Sequence, residues 1–235
     1  AGAFLDQFAF ISTCHDIYRD NVEAAPPYLP WMINANHGPS ITSRHARDYD
    51  YFAALEDVDK SKDLSIFCST QQRTVGHRMR LRFAHELKEY FGERLDWFGN
   101  GVRSIPEKWN GIAPYRYTIV LENHVAPNVV TEKLADAYLG LAYPIYSGAP
   151  NVRDIYPGAA LKEINISDLS GSISAISGLI DSDVAEREKP SIIQGKTIAL
   201  TSMHLYTRLA DLSRSLSSEP GEAALVRLAP FGFFT

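Results

Sequence analysis

From about residue 61, short apolar runs and amphipathic stretches take turns along the chain. "LSIFC" (64–68), "LDWFG" (95–99), "YTIVL" (117–121) and "YPIYSG" (143–148) have the length of strands. Between them, "HRMRLRFAHELKEYF" (77–91) sets Met79, Phe83, Leu87 and Tyr90/Phe91 at helical spacing. "TEKLADAYLGLA" (131–142) does the same with Leu134, Tyr138 and Leu141. Strands that alternate with helices form βαβ units, and such units build a mainly parallel sheet. The expected fold class is therefore α/β, a mainly parallel sheet with flanking helices. "KEINI" (162–166) reads as a further strand, followed by a Ser-rich helix to about residue 186. A long final helix from residue 189, broken near Gly195, closes the chain. Upstream, "FLDQFAFIST" reads as a short helix or turn running into a strand. "AAPPYLPWMINANHGPS" reads as a connector anchored by Trp31.

A chain of 235 residues suits one large domain or two small ones. With 45% hydrophobic and 22% charged residues it has the composition of a globular protein, not of a disordered one. No apolar run reaches the ~18 residues of a membrane span. The net charge of −5 argues against a general nucleic-acid binder. Cys14 and Cys68 belong to no CxxC pair, so a disulfide scaffold or a zinc site is not expected. Two small buried thiols point to a reduced, cytoplasmic setting.

In parallel sheets, ligands sit outside the carboxyl ends of the strands. The stretch "ENHVAPNVVTEK" (122–133) lies there: Glu122 and Asn123 follow a strand, and Glu132 and Lys133 open a helix. A helix N-terminus offers free N–H groups and a positive dipole end, which suits phosphate. Lys133 is poorly placed for that dipole, and an anion beside it would remove the conflict. Glu132 can accept hydrogen bonds from sugar hydroxyls. The plainer alternative is a pair of solvated first-turn charges. A second basic feature, "RTVGHRMRLR", carries Arg73, Arg78, Arg80 and Arg82 into the next helix start. A guanidinium fork there matches a diphosphate, whereas Arg78 and Arg82 read as a solvated face. "DYD" (48–50), "DVD" (57–59) and "DSD" (181–183) read as solvated acids, because a carboxylate metal site needs convergent ligands. GxxxxGK[ST], GxGxxG and GxSxG do not occur. His124 sits inside the loop of interest.

Residues 115–157, "YRYTIVLENHVAPNVVTEKLADAYLGLAYPIYSGAPNVRDIYP", resemble the donor-binding signature of the α-1,3/4-fucosyltransferase family (glycosyltransferase family 10). Tyr115-Arg116-Tyr117, Leu121-Glu122-Asn123, Thr131-Glu132-Lys133 and Pro144-Ile145-Tyr146-Ser147-Gly148 follow the family's order. "IFCSTQQRTVGHRMRLRFAHEL" is similar to its strand, serine-containing loop and arginine-led helix, and "WFGNG" to a strand end. The likeness covers residues 60 to 170.

The resemblance implies a GT-B architecture with two Rossmann-like domains. It implies GDP-fucose as donor, an inverting transfer to a glycan acceptor, and neither a cofactor nor a metal. It implies that Arg80 and Lys133 neutralise the diphosphate, that Glu132 binds ribose or fucose hydroxyls, and that Glu122 and Asn123 shape the nucleotide pocket. Two positions depart from the pattern. Val129 stands where the family has Tyr, which keeps another donor such as GDP-mannose open, and Leu121 stands where it has Phe. The family's general base belongs to an N-terminal acceptor domain, so no catalytic residue is named in this chain. A non-catalytic nucleotide-sugar-binding module is the competing class. The expected organisation is an acceptor-type remnant and linker over 1–50 and a donor-binding domain over 51–190. Residues 191–235 would form a C-terminal helix returning toward the N-terminal part.

Overall fold

The computed structural model describes residues 2–34 and 47–216. α1 (Gly2–Leu5) and β1 (Ile11–Thr13) open the chain, and β2 (Val22–Ala24) pairs parallel to β1. α2 (Tyr49–Ala54) starts on Asp48, whose carboxylate accepts the Tyr51 N–H at 2.9 Å. The alternating part follows as β3 (Lys62–Phe67), α3 (Val75–Phe91), β4 (Leu95–Phe98), β5 (Tyr115–Leu121), α4 (Glu132–Leu139) and β6 (Tyr143–Ser147). α5 (Val152–Ile155), β7 (Lys162–Glu163), α6 (Leu169–Ile180), α7 (Val184–Arg187), α8 (Lys189–Leu200) and α9 (Leu205–Leu216) complete it.

β3 to β7 form one parallel sheet in the order β4-β3-β5-β6-β7. The central strands are apolar on both sides, as a doubly covered sheet requires: Leu64 and Ile66 of β3 and Tyr117 to Leu121 of β5 are buried. The one polar pair inside, Ser65 and Thr118, is satisfied by a mutual hydroxyl bond of 3.0 Å. From β3 the chain first steps to β4 and then returns past β3 to β5, so the winding reverses between β3 and β5. Right-handed crossovers in opposite directions place α3 and α4 on opposite faces of the sheet. A crevice therefore opens at the carboxyl ends of β3 and β5, where ligands bind in such sheets.

Several sequence expectations shift in detail. In α3 the buried stripe runs through Arg80, Leu81, Phe83, Ala84, Leu87 and Phe91. Met79 and Tyr90, counted as core by their spacing, are exposed. "KEINI" contributes only Lys162 and Glu163 to the sheet, with one further bond from the Ile164 N–H to the Tyr146 carbonyl at 2.8 Å. The Ser-rich helix divides into α6 and α7. The final helix breaks at 201–204 and not at Gly195, which lies inside α8. A Cβ at Gly195 would sit 2.4 Å from the Tyr138 ring, so this glycine serves the close packing of α8 on α4. Residues 217–235 of the expected helix and 35–40 of the connector lie outside the described residues. Cys68 is buried and Cys14 only half-buried, and both are free. Among the described residues, no helix is long and apolar enough to cross a membrane.

The N-terminal connector docks on α4. Ile33 packs with Phe52, Leu139 and Leu200, and its carbonyl accepts the Trp109 N–H at 2.8 Å. The Met32 N–H donates to Asp136 Oδ1 at 2.8 Å. Asp136 is fully buried in α4, and its second oxygen takes Lys108 Nζ at 2.5 Å. Burial pushes the Asp136 carboxyl up, while Lys108 opposes the shift. At the other end of the chain, Arg208 of α9 pairs with Glu23 of β2. Removing one partner of a buried pair strands a charge, so Lys108→Met is expected to cost about 3–5 kcal/mol of stability in denaturant unfolding. A loss below about 1 kcal/mol would show that the pair is not what holds the connector on α4.

Candidate functional site

The turn from β3 into α3 supplies the first wall of the crevice. Thr74 caps α3: its hydroxyl accepts the His77 N–H at 3.2 Å and lies 2.8 Å from His77 Nδ1. Gly76, in the first turn, could carry no side chain, because a Cβ there would lie 2.0 Å from the Asn123 carbonyl oxygen. The start of α3 and the loop after β5 are thus in backbone contact. One turn on, Arg80 is only 4% exposed. Its Nη1 donates to the Leu121 carbonyl at 3.3 Å, and its Nε is buried without a partner. No carboxylate pairs with it among the described residues. A buried guanidinium so poorly satisfied is costly and favours an anion nearby. Desolvation, and after it the charges of Arg80, Arg73 and Lys133, hold the His77 imidazole below the usual histidine range.

The second wall is built by Glu122. Its N–H donates to the Ser147 carbonyl at 2.8 Å, which continues the β5–β6 ladder. Its side chain is fully buried. Oε1 accepts the Thr131 N–H at 2.8 Å, and Oε2 accepts the Thr131 hydroxyl at 2.7 Å and Lys133 Nζ at 3.2 Å. Lys133 also donates to Thr131 Oγ1 at 2.7 Å and lies 3.6 Å from Glu132 Oε1. The conflict between Lys133 and the helix dipole is therefore already resolved by Glu122. Across the loop, Asn128 sits at φ 63°, in the left-handed region that asparagine tolerates. Its N–H donates to Asn151 Oδ1 at 2.8 Å, and Asn151 Nδ2 returns a bond to Asn128 Oδ1 at 2.9 Å. Gly148 completes the floor: a Cβ there would meet the Tyr146 hydroxyl at 2.2 Å and Glu122 Cγ at 2.6 Å.

Between these walls lies a cleft of about 560 Å³ over the carboxyl ends of β5, β6 and β7. Asn123, His124, Ser147 and Gly148 line it, with Met79 on the α3 side. Of the residues singled out in the sequence, Glu122, Asn123 and His124 reach this cleft. Glu122, Glu132 and Lys133 form one ionic cluster at the start of α4. Arg80 and Lys133 do not line the cleft: Arg80 is held at the Leu121 carbonyl and Lys133 at Glu122. Arg78 and Arg82 are exposed, Arg82 pairing with Glu86 at 3.0 Å. The acidic triplets serve elsewhere. Asp48 caps α2, Asp57 pairs with Lys189, Asp181 with Arg94 and Asp183 with Arg187. Among the described residues, no group of three His, Cys, Asp or Glu side chains converges as metal ligands would. Gly76 and the Asn128–Asn151 pair were not singled out by the sequence. Thr131 appeared there only as the first residue of "TEK", without a role.

No protein-family model and no curated protein sequence matches the chain. Solved structures do. The structure of an α1,3-fucosyltransferase with GDP matches 84% of this chain and 72% of its own length, with a TM-score of 0.54 and 16% identity. An α1,3-fucosyltransferase structure with GDP-fucose matches 59% of this chain at a TM-score of 0.44 and 19% identity, and a further α1,3-fucosyltransferase structure matches 61% at 0.43 and 19%. The chain spans 47% of the length of each of these last two. The fold is thus a Rossmann-like α/β layer of the kind found in the GDP-bound fucosyltransferase structure.

Glu122→Gln keeps the shape of this side chain but removes its charge. It leaves Lys133 with only Glu132 at 3.6 Å as an ionic partner and turns one acceptor into a donor facing Thr131. The expected loss is about 1.5–3 kcal/mol of unfolding free energy. A change within about 0.5 kcal/mol, the level of an ordinary surface substitution, would show that the carboxylate does not anchor the start of α4.

Proposed function

We propose that this chain is the donor-binding part of a fucosyltransferase-like glycosyltransferase of GT-B architecture. In this reading it binds GDP-fucose and presents it for inverting transfer to a glycan acceptor in the cytoplasm. The observation that carries the reading is Arg80: a buried cation with no carboxylate partner among the described residues, beside a capped helix start at the switch point of a doubly wound sheet. The fold likeness to a fucosyltransferase structure with GDP and the ordered Glu-Asn and Thr-Glu-Lys motifs support it.

The departing group of such a transfer is a diphosphate, and fixed cations contribute most where charge develops on it. Arg80, Lys133 and the free N–H groups of α3 supply positive potential there. Glu122 holds Lys133 in place. Glu132, half-buried at the start of α4, takes ribose or fucose hydroxyls, and Asn123 lines the nucleotide cleft. Val129 is half-buried in the same loop and offers no ring or hydroxyl. This favours, as a second reading, another GDP-sugar such as GDP-mannose. The contacts of the connector with α4 and of Arg208 with Glu23 fit an organisation in which residues 1–50 and the C-terminal helices brace each other beside a donor domain over 51–190.

Calorimetric titration with GDP-fucose, GDP-mannose, GDP and UDP tests the reading. Binding of the GDP compounds, with fucose preferred and UDP ignored, is the expected result. Arg80→Ala is expected to weaken GDP by about 1.5–3 kcal/mol, the range for charged hydrogen bonds. Equal binding of UDP, or GDP binding unchanged by the substitution, would contradict it.

A further inference from the structure

Two carboxylates line the 560 Å³ cleft, Glu122 and Glu163. Glu122 is spent, since both its oxygens are held by Thr131 and Lys133. Glu163 is not. It ends β7, and its Oε1 accepts Arg153 Nε at 2.9 Å. Arg153 is itself fixed by the carbonyls of Ala159 at 3.3 Å and Leu161 at 2.8 Å. The carboxylate is therefore oriented by a neighbour that two carbonyls hold, while Oε2 has no hydrogen-bond partner among the described residues. Its side chain is about half-exposed.

We infer that Glu163 reads the hydrogen-bonding edge of the nucleobase and selects guanine. The inference rests on the nucleotide-donor reading above and adds a specificity-determining residue to it. The placement follows from the sheet. Glu163 stands in register with Tyr146 of β6, which in turn pairs with Val120 of β5. Two strand spacings put it about 10 Å from the end of β5. A nucleotide with its diphosphate at the start of α3 lays its ribose over β6 and its base over β7. Met79 and Ile166 border both this cleft and a groove of about 290 Å³ that adjoins it, offering apolar contact to the faces of a flat ring.

An ionised carboxylate only accepts hydrogen bonds. Guanine presents two donors on one edge, the ring N1–H and the exocyclic amino group. Hypoxanthine keeps the first and lacks the second. Adenine presents a bare ring nitrogen at that place, an acceptor facing an acceptor. A site built to bond a group rejects the analogue that lacks it. The expected order is GDP, then IDP, then ADP.

The test is titration of the chain and of Glu163→Gln with GDP, IDP and ADP, read as the ratio of IDP to GDP dissociation constants. Each ratio is internal to one protein, so a partly unfolded variant does not distort it. The chain is expected to prefer GDP over IDP by about tenfold, the value of one charge-assisted bond. In Glu163→Gln the preference is expected to fall toward unity. A chain that binds GDP without that preference, or a ratio that Glu163→Gln leaves unchanged, would overturn the role of Glu163 and leave the donor reading standing. A chain that binds none of the three would overturn the donor reading, and the role of Glu163 with it.

Discussion

One fully buried carboxylate joins the two halves of the site. Glu122 is both the last residue of the β5–β6 ladder and the anchor of the start of α4. A charge in that position is stable only if it is paired and hydrogen-bonded. Thr131 supplies two bonds and Lys133 a third, so the loop of 123–130 is closed at its base by a single side chain. The rest of the crevice is set from there. The Asn123 carbonyl comes to rest against Gly76, which fixes how closely α3 approaches. The packing of Glu122 Cγ against Gly148 fixes the floor.

The electrostatics follow from the same arrangement. Most basic side chains described have an acid within reach, as in Arg116 with Glu186 at 2.6 Å or Arg94 with Asp181 at 2.9 Å. Arg80 has only a backbone carbonyl. It sits beside the positive end of a 17-residue helix that has no acid in its first turn. The low dielectric around it makes that charge count for more than an exposed one would. A buried cation without a carboxylate partner beside a helix N-terminus favours a small anion nearby.

The sheet was legible because strands buried on both faces leave continuous apolar runs, as "YTIVL" does. The helices were legible by their period, and the site loop by its place between a run and a period. What could not be read were properties of contact across the chain. Met79 and Arg80 are neighbours, and only the packing of α3 on the sheet decides that the arginine is the buried one. Gly195 looked like a helix break, but it is the place where the Tyr138 ring rests, and the break falls at 201–204. Lys133 was singled out as a cation in need of an anion. Its partner, Glu122, was in the same quoted stretch, yet nothing in the spacing says that a loop folds back to join them. "KEINI" looked like a full strand by composition, although only two of its residues lie at the sheet edge. The resemblance to a family rested on ordered short motifs, while the overall identity to the GDP-bound structure is 16%.

The central claim is that a nucleotide diphosphate binds in the crevice between the start of α3 and the loop after β5. Backbone amide NMR of the chain titrated with GDP tests it most directly. The account predicts that the largest shifts fall on Gly76, Asn123 and Gly148, whose backbones border the crevice. Shifts confined to the opposite end of the sheet, around Lys60 and Arg116, or no shifts at saturating GDP, would contradict it.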